Sequence, residues 1–76
     1  MSPTQRLTLE REGATAVLDY TIDATTLSIL HVETPHALRG QGIGGELVEK
    51  ARALATEKNL KLIPICPFAK HYLSKS

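Results

Sequence analysis

A run of glycines limits what this chain can fold into more than any other part of it. Four of the five glycines in the 76-residue sequence lie within residues 39–45, which read RGQGIGG. Glycine loses more backbone entropy on folding than other residues and is a poor helix former, yet the run directly precedes the segment with the clearest helical pattern. Such a run indicates a backbone that approaches another group closely or adopts positive φ angles.

The residues before the glycines alternate between polar and apolar side chains, as half-buried strands do. This alternation predicts strands over residues 6–11, Ala14–Ile22 and 26–32, separated by turns at residues 12–13 and 23–25. Strands joined by such short turns pair with their neighbours in the opposite direction. The first half of the chain is therefore predicted to be a three-stranded antiparallel meander.

The residues after the glycines have the spacing of an amphipathic helix followed by a strand. The sequence predicts a helix over residues 46–58, closed by Asn59, which tolerates the left-handed conformation. Residues 60–65 predict a fourth strand, placed at a sheet edge or at a loss of pairing by Pro64, which has no N–H to donate. A right-handed crossover makes this strand parallel to the third. The predicted apolar stripe of the helix contains Ile43, Leu47, Val48, Ala51, Leu54 and Ala55.

Length and composition exclude several classes of protein. The chain is long enough for one small domain, expected over residues 1–76, and its net charge of +1 and few aromatic residues argue against nucleic-acid binding. The single cysteine, Cys66, excludes an internal disulfide and a cysteine-based zinc site, and the three histidines lack the spacing of metal ligands. No apolar run could span a membrane and the start does not read as a signal peptide, so we expect a cytoplasmic protein without a membrane partner.

The order of strand, glycine-rich loop and helix start predicts an anion site. The first N–H groups of a helix have no partner within it, and glycine lets phosphate oxygens reach them. Arg39 adds a positive charge, so a pyrophosphate fits; the alternative is a tight turn that uses glycine only for its geometry. Gly40, Gly42 and Gly45 formally satisfy the dinucleotide fingerprint, but the acidic residue expected about twenty positions later is missing.

Three segments in order resemble the GNAT superfamily of acetyltransferases, and most closely its small single-domain members. These segments are residues 31–35 (HVETP), 38–44 (LRGQGIG) and 64–68 (PICPF). The resemblance covers roughly residues 17–73. It implies an α+β, GNAT-like fold in which the fourth strand is splayed from the third and a short helix over residues 68–73 closes the chain.

The resemblance also implies a cofactor and the residues that hold it. Acetyl-CoA is expected as the acyl donor, with its pyrophosphate held by the Arg39 side chain and the backbone of the glycine-rich loop. The backbone near residues 32–34 is expected to hold the pantetheine arm. The predicted cofactor residues are Val32, Glu33, Thr34, Arg39, Gly40, Gln41, Gly42, Ile43, Gly44 and Gly45.

Three side chains are candidates for the chemistry. His31 and Glu33 lie two apart on the third strand and so share a face, and histidine suits proton transfer near neutral pH. Each has an alternative role, His31 as a structural histidine and Glu33 as a solvated carboxylate. Cys66 follows the fourth strand, where its thiol could accept the acyl group, protonate the leaving thiolate or only line the cleft.

The sequence therefore favours an N-acetyltransferase that transfers acetyl groups directly to an amine acceptor on a small molecule or a protein. The competing hypothesis is a non-catalytic module that binds CoA or acyl-CoA and acts through a protein partner. A dinucleotide-binding fragment is a third, weaker alternative. A small core and an exposed strand edge make a homodimer or another protein partner plausible.

Overall fold

A computed structural model describes residues 3–38, 40 and 42–74, and its elements follow the predicted order. One turn of 3₁₀ helix, His36–Leu38, which the sequence pattern did not predict, precedes the glycine-rich loop. The α+β class and the order of elements are confirmed. The strands are β1 (Gln5–Arg11), β2 (Ala14–Ile22), β3 (Thr26–Glu33) and β4 (Lys61–Pro64), and the helices are α1 (Ile43–Glu57) and α2 (Pro67–Ser74).

The four strands form one sheet in the order β1-β2-β3-β4. β1 pairs with β2 and β2 with β3 in antiparallel fashion, as the short turns predicted. β4 lies parallel to β3, so the crossover through α1 is also confirmed. No helix in the described part of the chain is both long enough and apolar enough to cross a bilayer.

The pairing between β2 and β3 is interrupted by a β-bulge in the middle of β3. Tyr20 pairs with Ile29 and Asp19 pairs with His31, which leaves Leu30 as the extra residue. The bulge changes the alternation of β3, because the buried Ile29 and the half-buried Val32 both pack toward α1 with two residues between them. Leu30 and His31 are consequently both exposed on the opposite side, which we call the outer face of the sheet.

β4 stops pairing at the same place. Its last pair joins Pro64 to Ile29, so it is two residues shorter than the predicted strand over residues 60–65. The Ile65 and Cys66 amides then both donate to the Ile29 carbonyl, each at 3.0 Å, and the chain turns into α2. The prediction that Pro64 marks an edge and a loss of pairing is confirmed.

The core lies between α1 and the inner face of the sheet. The predicted apolar stripe of α1 is buried except for the half-buried Leu54, and it packs on alternate residues of β2 and β3. α1 begins at Ile43, three residues before the predicted start, so two of the glycines lie within its first turn. Asn59 ends the helix with φ 58°, as predicted, and the next amide bonds back to Ala55.

An ion pair on the outer face ties β1 to β2. The Arg6 guanidinium donates to both carboxylate oxygens of Asp19, from Nε at 2.7 Å and from Nη2 at 3.3 Å. This hydrogen bonding, with the positive charge of Arg6, lowers the pKa of Asp19 below its ordinary value. A carboxyl whose pKa is lower in the folded state stabilises the fold above its unfolded pKa, and the contribution disappears as pH falls through the folded-state value.

We therefore expect Asp19→Asn to lower the melting temperature at pH 7, and the difference from wild type to shrink as the pH falls below about 4. Thermal unfolding followed by circular dichroism across this pH range measures it. Glu10→Gln is the matched control, since it removes a carboxylate from the exposed face of β1. A deficit of Asp19→Asn that stays constant down to pH 2 would contradict the proposed linkage.

Candidate functional site

A cleft lined by the glycine-rich loop, which we call the main cleft, lies where β3 ends and α1 begins. It has a volume of about 430 Å³ and is bounded by the last residues of β3, the 3₁₀ turn, the first turn of α1 and one aromatic side chain of α2. The side chains that line it are mostly apolar. The lining residues are Val32, Thr34, Leu38, Gly40, Gly42, Ile43, Gly44, Gly45 and Phe68.

Two glycines shape the loop that enters α1. Gly40 and Gly42 have φ angles of 84° and 73°, and a Cβ atom at either position would meet open space. Glycine is therefore needed there for backbone conformation rather than for room. Gly42 is the N-cap, and because it has no side chain it gives no side-chain hydrogen bond to the first turn.

The start of α1 presents backbone donors at the main cleft. The first hydrogen bond within the helix runs from the Glu46 amide to the Gly42 carbonyl at 3.0 Å. The amides of residues 43–45 come before it, so helix geometry gives them no partner within α1. All three residues line the cleft, and the positive end of the helix dipole lies there, which suits a bound anion.

The other two glycines of the run make room for aromatic rings of α2. A Cβ atom on Gly44 would lie 2.8 Å from Cζ of Phe68, and one on Gly45 would lie 2.7 Å from Cε2 of Tyr72. The two rings stack on each other with centroids 6.5 Å apart. Gly44 and Gly45 thus have a packing requirement that the sequence analysis, which assigned all four glycines to a phosphate loop, did not foresee.

Tyr72 is held in place at both ends. Its ring covers Gly45, and its hydroxyl donates to Oε2 of Glu49 on α1 at 2.9 Å. That hydrogen bond, together with partial burial and the nearby negative charge of Glu49, raises the pKa of Tyr72. The phenol therefore stays protonated at neutral pH, and its position indicates a role in joining α2 to the start of α1.

His31 and Glu33 lie close together, but not in the main cleft. Nε2 of His31 is 3.8 Å from Oε2 of Glu33, which confirms that the two side chains share a face. Both are exposed on the outer face, whereas Val32 and Thr34 line the cleft on the other side of the strand. They can reach a ligand in the cleft only across the edge of β3 beyond Ile29, where β4 no longer pairs with it.

Cys66 lies at the point where the strands separate. Its side chain is only 7% exposed and belongs to the core cluster beneath α1, and its amide bonds to Ile29. Among the described residues, no hydrogen bond or ion pair joins Cys66 to His31 or Glu33. The three candidate catalytic residues thus surround one strand separation without forming one constellation, and their roles remain predictions.

Most of the predicted cofactor residues come together in the main cleft. Glu33 points away from it, and Arg39 and Gln41 lie outside the described residues. The sequence analysis gave no role to Leu38 and Phe68, which also line the cleft. The signal for Phe68 was available, because a glycine in the first turn of a helix creates room for a large neighbour. In the described part of the chain, no three His, Cys, Asp or Glu side chains are grouped as metal ligands.

We expect Gly45→Ala to destabilise the protein by about 1–2 kcal/mol, because the added methyl group overlaps the Tyr72 ring. In a Tyr72→Ala background the same substitution should be neutral or stabilising by up to about 1 kcal/mol, since alanine is the better helix former. Urea unfolding of the four proteins gives the coupling energy. An equal effect of Gly45→Ala in both backgrounds would show that the ring is not the reason for the glycine.

Comparison with known proteins gives one clear finding. The model of a family described as GCN5-related N-acetyl-transferase matches residues 6–76. This range includes the glycine-rich loop, both helices and all four strands, apart from the first residue of β1. A search of curated proteins gives no match.

Proposed function

The chain belongs to the GCN5-related N-acetyltransferase family, and we propose that it binds acetyl-CoA in the main cleft and transfers the acetyl group directly to an amine. One observation carries the proposal. The main cleft joins the amides at the start of α1, which have no partner within the helix, to the end of β3, so one elongated ligand can contact both. Acetyl-CoA has this shape, with a pyrophosphate in its middle and a thioester at one end.

The donor's phosphates are assigned to the first turn of α1. The amides of residues 43–45 donate to phosphate oxygens, and the positive φ of Gly42 turns the loop toward them. Arg39 supplies a countercharge in this proposal. The apolar side chains of Val32, Leu38 and Phe68 then surround the pantetheine arm.

The pantetheine arm follows the free edge of β3. β4 pairs with β3 only as far as Ile29, so residues 30–33 have no strand partner on that side. Their backbone groups can hydrogen-bond to the amides of the arm as a neighbouring strand would. A ligand laid along this edge from the start of α1 ends near Ile29 and Cys66, which is where the thioester is proposed to lie.

His31 is proposed as the group that takes the proton from the acceptor. His31 removes one proton from the ammonium group and releases it to solvent, which leaves a neutral amine. The amine nitrogen then attacks the thioester carbonyl, the C–N bond forms as the C–S bond breaks, and the second proton lost by the nitrogen goes to the CoA thiolate. Glu33, 3.8 Å from the imidazole, orients His31 and stabilises its protonated form. Cys66 is proposed not to carry the acyl group, since its side chain packs in the core.

The binding step predicts that acetyl-CoA, and not NAD, binds the purified protein in calorimetry. Gly42→Val should weaken acetyl-CoA binding at least tenfold, because valine is strained at φ 73° and adds bulk at the phosphate site. Gly13→Val is the matched control. Gly13 has φ 78° and open space around it, in the β1–β2 turn away from the cleft, so it carries the same strain without the same effect on affinity. Equal losses in both variants would contradict the phosphate site.

The chemical step predicts that His31→Gln lowers kcat about a hundredfold while the acetyl-CoA dissociation constant stays within about twofold. Cys66→Ala should keep kcat within about threefold of wild type if transfer is direct. CoA release measured with a thiol reagent gives kcat for both variants, and calorimetry gives the acetyl-CoA dissociation constant. A loss of turnover in Cys66→Ala with His31→Gln unaffected would indicate an acyl-cysteine route instead.

The same experiment tests the binding-module hypothesis, which one observation favours. The candidate catalytic side chains lie on different sides of β3, as expected if the chain binds CoA without acting on it. In that case acetyl-CoA would bind with normal affinity, and no amine would increase CoA release in the wild-type protein.

A further inference from the structure

Two large apolar side chains lie exposed where β3 and β4 separate. In the described part of the chain, three large apolar residues are markedly exposed, namely Leu30 at 36%, Ile65 at 58% and Phe68 at 45%. Phe68 already has a place in the wall of the main cleft. Leu30 and Ile65 are without an assigned role, and exposing them costs hydrophobic free energy.

The two residues are neighbours through the backbone. Leu30 is the extra residue of the bulge and directly follows Ile29, whose carbonyl accepts the Ile65 amide at 3.0 Å. The next amide, that of Cys66, bonds to the same carbonyl. Leu30 and Ile65 therefore flank the strand separation from its two sides, one on β3 and the other just after β4.

A polar pair borders the same place. His31 follows Leu30 and is exposed beside it on the outer face, with the carboxylate of Glu33 3.8 Å from its imidazole. The nearby carboxylate of Asp19 already accepts hydrogen bonds from Nε and Nη2 of Arg6. Glu33 has only this long contact with His31 among the described ion pairs, so its negative charge remains available to a cationic ligand.

We propose that this outer rim binds the acceptor, and that the acceptor is a small primary amine carried on an apolar body. Leu30 and Ile65 contact the body, while Glu33 attracts the ammonium group and places it beside His31. The proposal rests on the proposed function, which puts the thioester on the other side of the same strand separation. It adds that the amine is small and carries an apolar body, which the sequence does not indicate.

The test follows amide chemical shifts of the CoA-loaded protein by NMR, so it does not depend on turnover. Three probes separate the requirements: hexylamine has the apolar body and the amine, ethanolamine lacks the body, and 1-hexanol lacks the amine. We expect hexylamine to shift the amides of Leu30, His31 and Ile65 and to bind at least tenfold more tightly than either other probe. The amide of Gly13 should not move.

Variants then assign the binding to the rim. Leu30→Ser and Ile65→Ser should each weaken hexylamine binding about five- to tenfold. Ile65→Ser, which lies outside the edge proposed to hold the pantetheine arm, should also leave the acetyl-CoA dissociation constant unchanged. Both side chains are exposed, so the folds should survive, which circular dichroism checks. Phe68→Ser is the contrasting variant: it should weaken acetyl-CoA binding and leave the preference for hexylamine over ethanolamine intact.

The outcomes distinguish this proposal from the one on which it rests. Equal affinity for hexylamine and ethanolamine, or an unchanged preference in both rim variants, would overturn the acceptor proposal while leaving acetyl-CoA binding in place. An outer groove of about 500 Å³ also contains Glu33 and extends from it toward Arg6, Thr15 and His36. Shifts confined to those three residues, with none at Leu30 or Ile65, would also overturn the proposal, since the apolar body of the amine would then bind elsewhere. A protein that does not bind acetyl-CoA would overturn both proposals.

Discussion

The carbonyl oxygen of Ile29 accepts hydrogen bonds from two successive amides, those of Ile65 and Cys66, and this shared acceptor is where two parallel strands stop being neighbours. Before it, β3 and β4 pair residue by residue; after it, β3 pairs only with β2, and the segment that follows β4 turns into α2. The bulge at Leu30 and the missing N–H of Pro64 lie at the same level, where the pairing of β3 with β4 ends. The free edge, the main cleft and the outer rim all depend on this separation.

At the strand separation, the inner and outer faces of the sheet present two different surfaces. On the inner side, apolar side chains and the start of α1 form the cleft in which we propose that a long anionic ligand binds. On the outer side, the bulge exposes Leu30 and His31 together instead of burying one of them. A donor and an acceptor could thus approach the same atoms from opposite faces of β3 without competing for space.

Much of the fold could be predicted because it depends on local patterns. Alternation located β2 to the residue, and Pro64 indicated the end of strand pairing. The start of α1 was placed three residues late, because glycines are poor helix formers and only tertiary packing from α2 makes Gly44 and Gly45 acceptable there. The bulge was not predicted either, since a single extra residue leaves little trace in an alternating pattern. For the site, spacing showed that His31 and Glu33 share a face, but only the structure shows that this face is turned away from the cleft.

The fit of aromatic rings against the bare backbone of α1 has a consequence for how this family can vary. Gly44 with Phe68, and Gly45 with Tyr72, are each a pair in which one member has no side chain so that the other can be large. Either member is constrained only while its partner is retained, so the two positions of each pair should change together among homologous chains. A β-carbon at position 44 or 45 should accompany a smaller side chain at position 68 or 72, respectively, in α2. This correlation would identify members that close the cleft with something other than an aromatic ring.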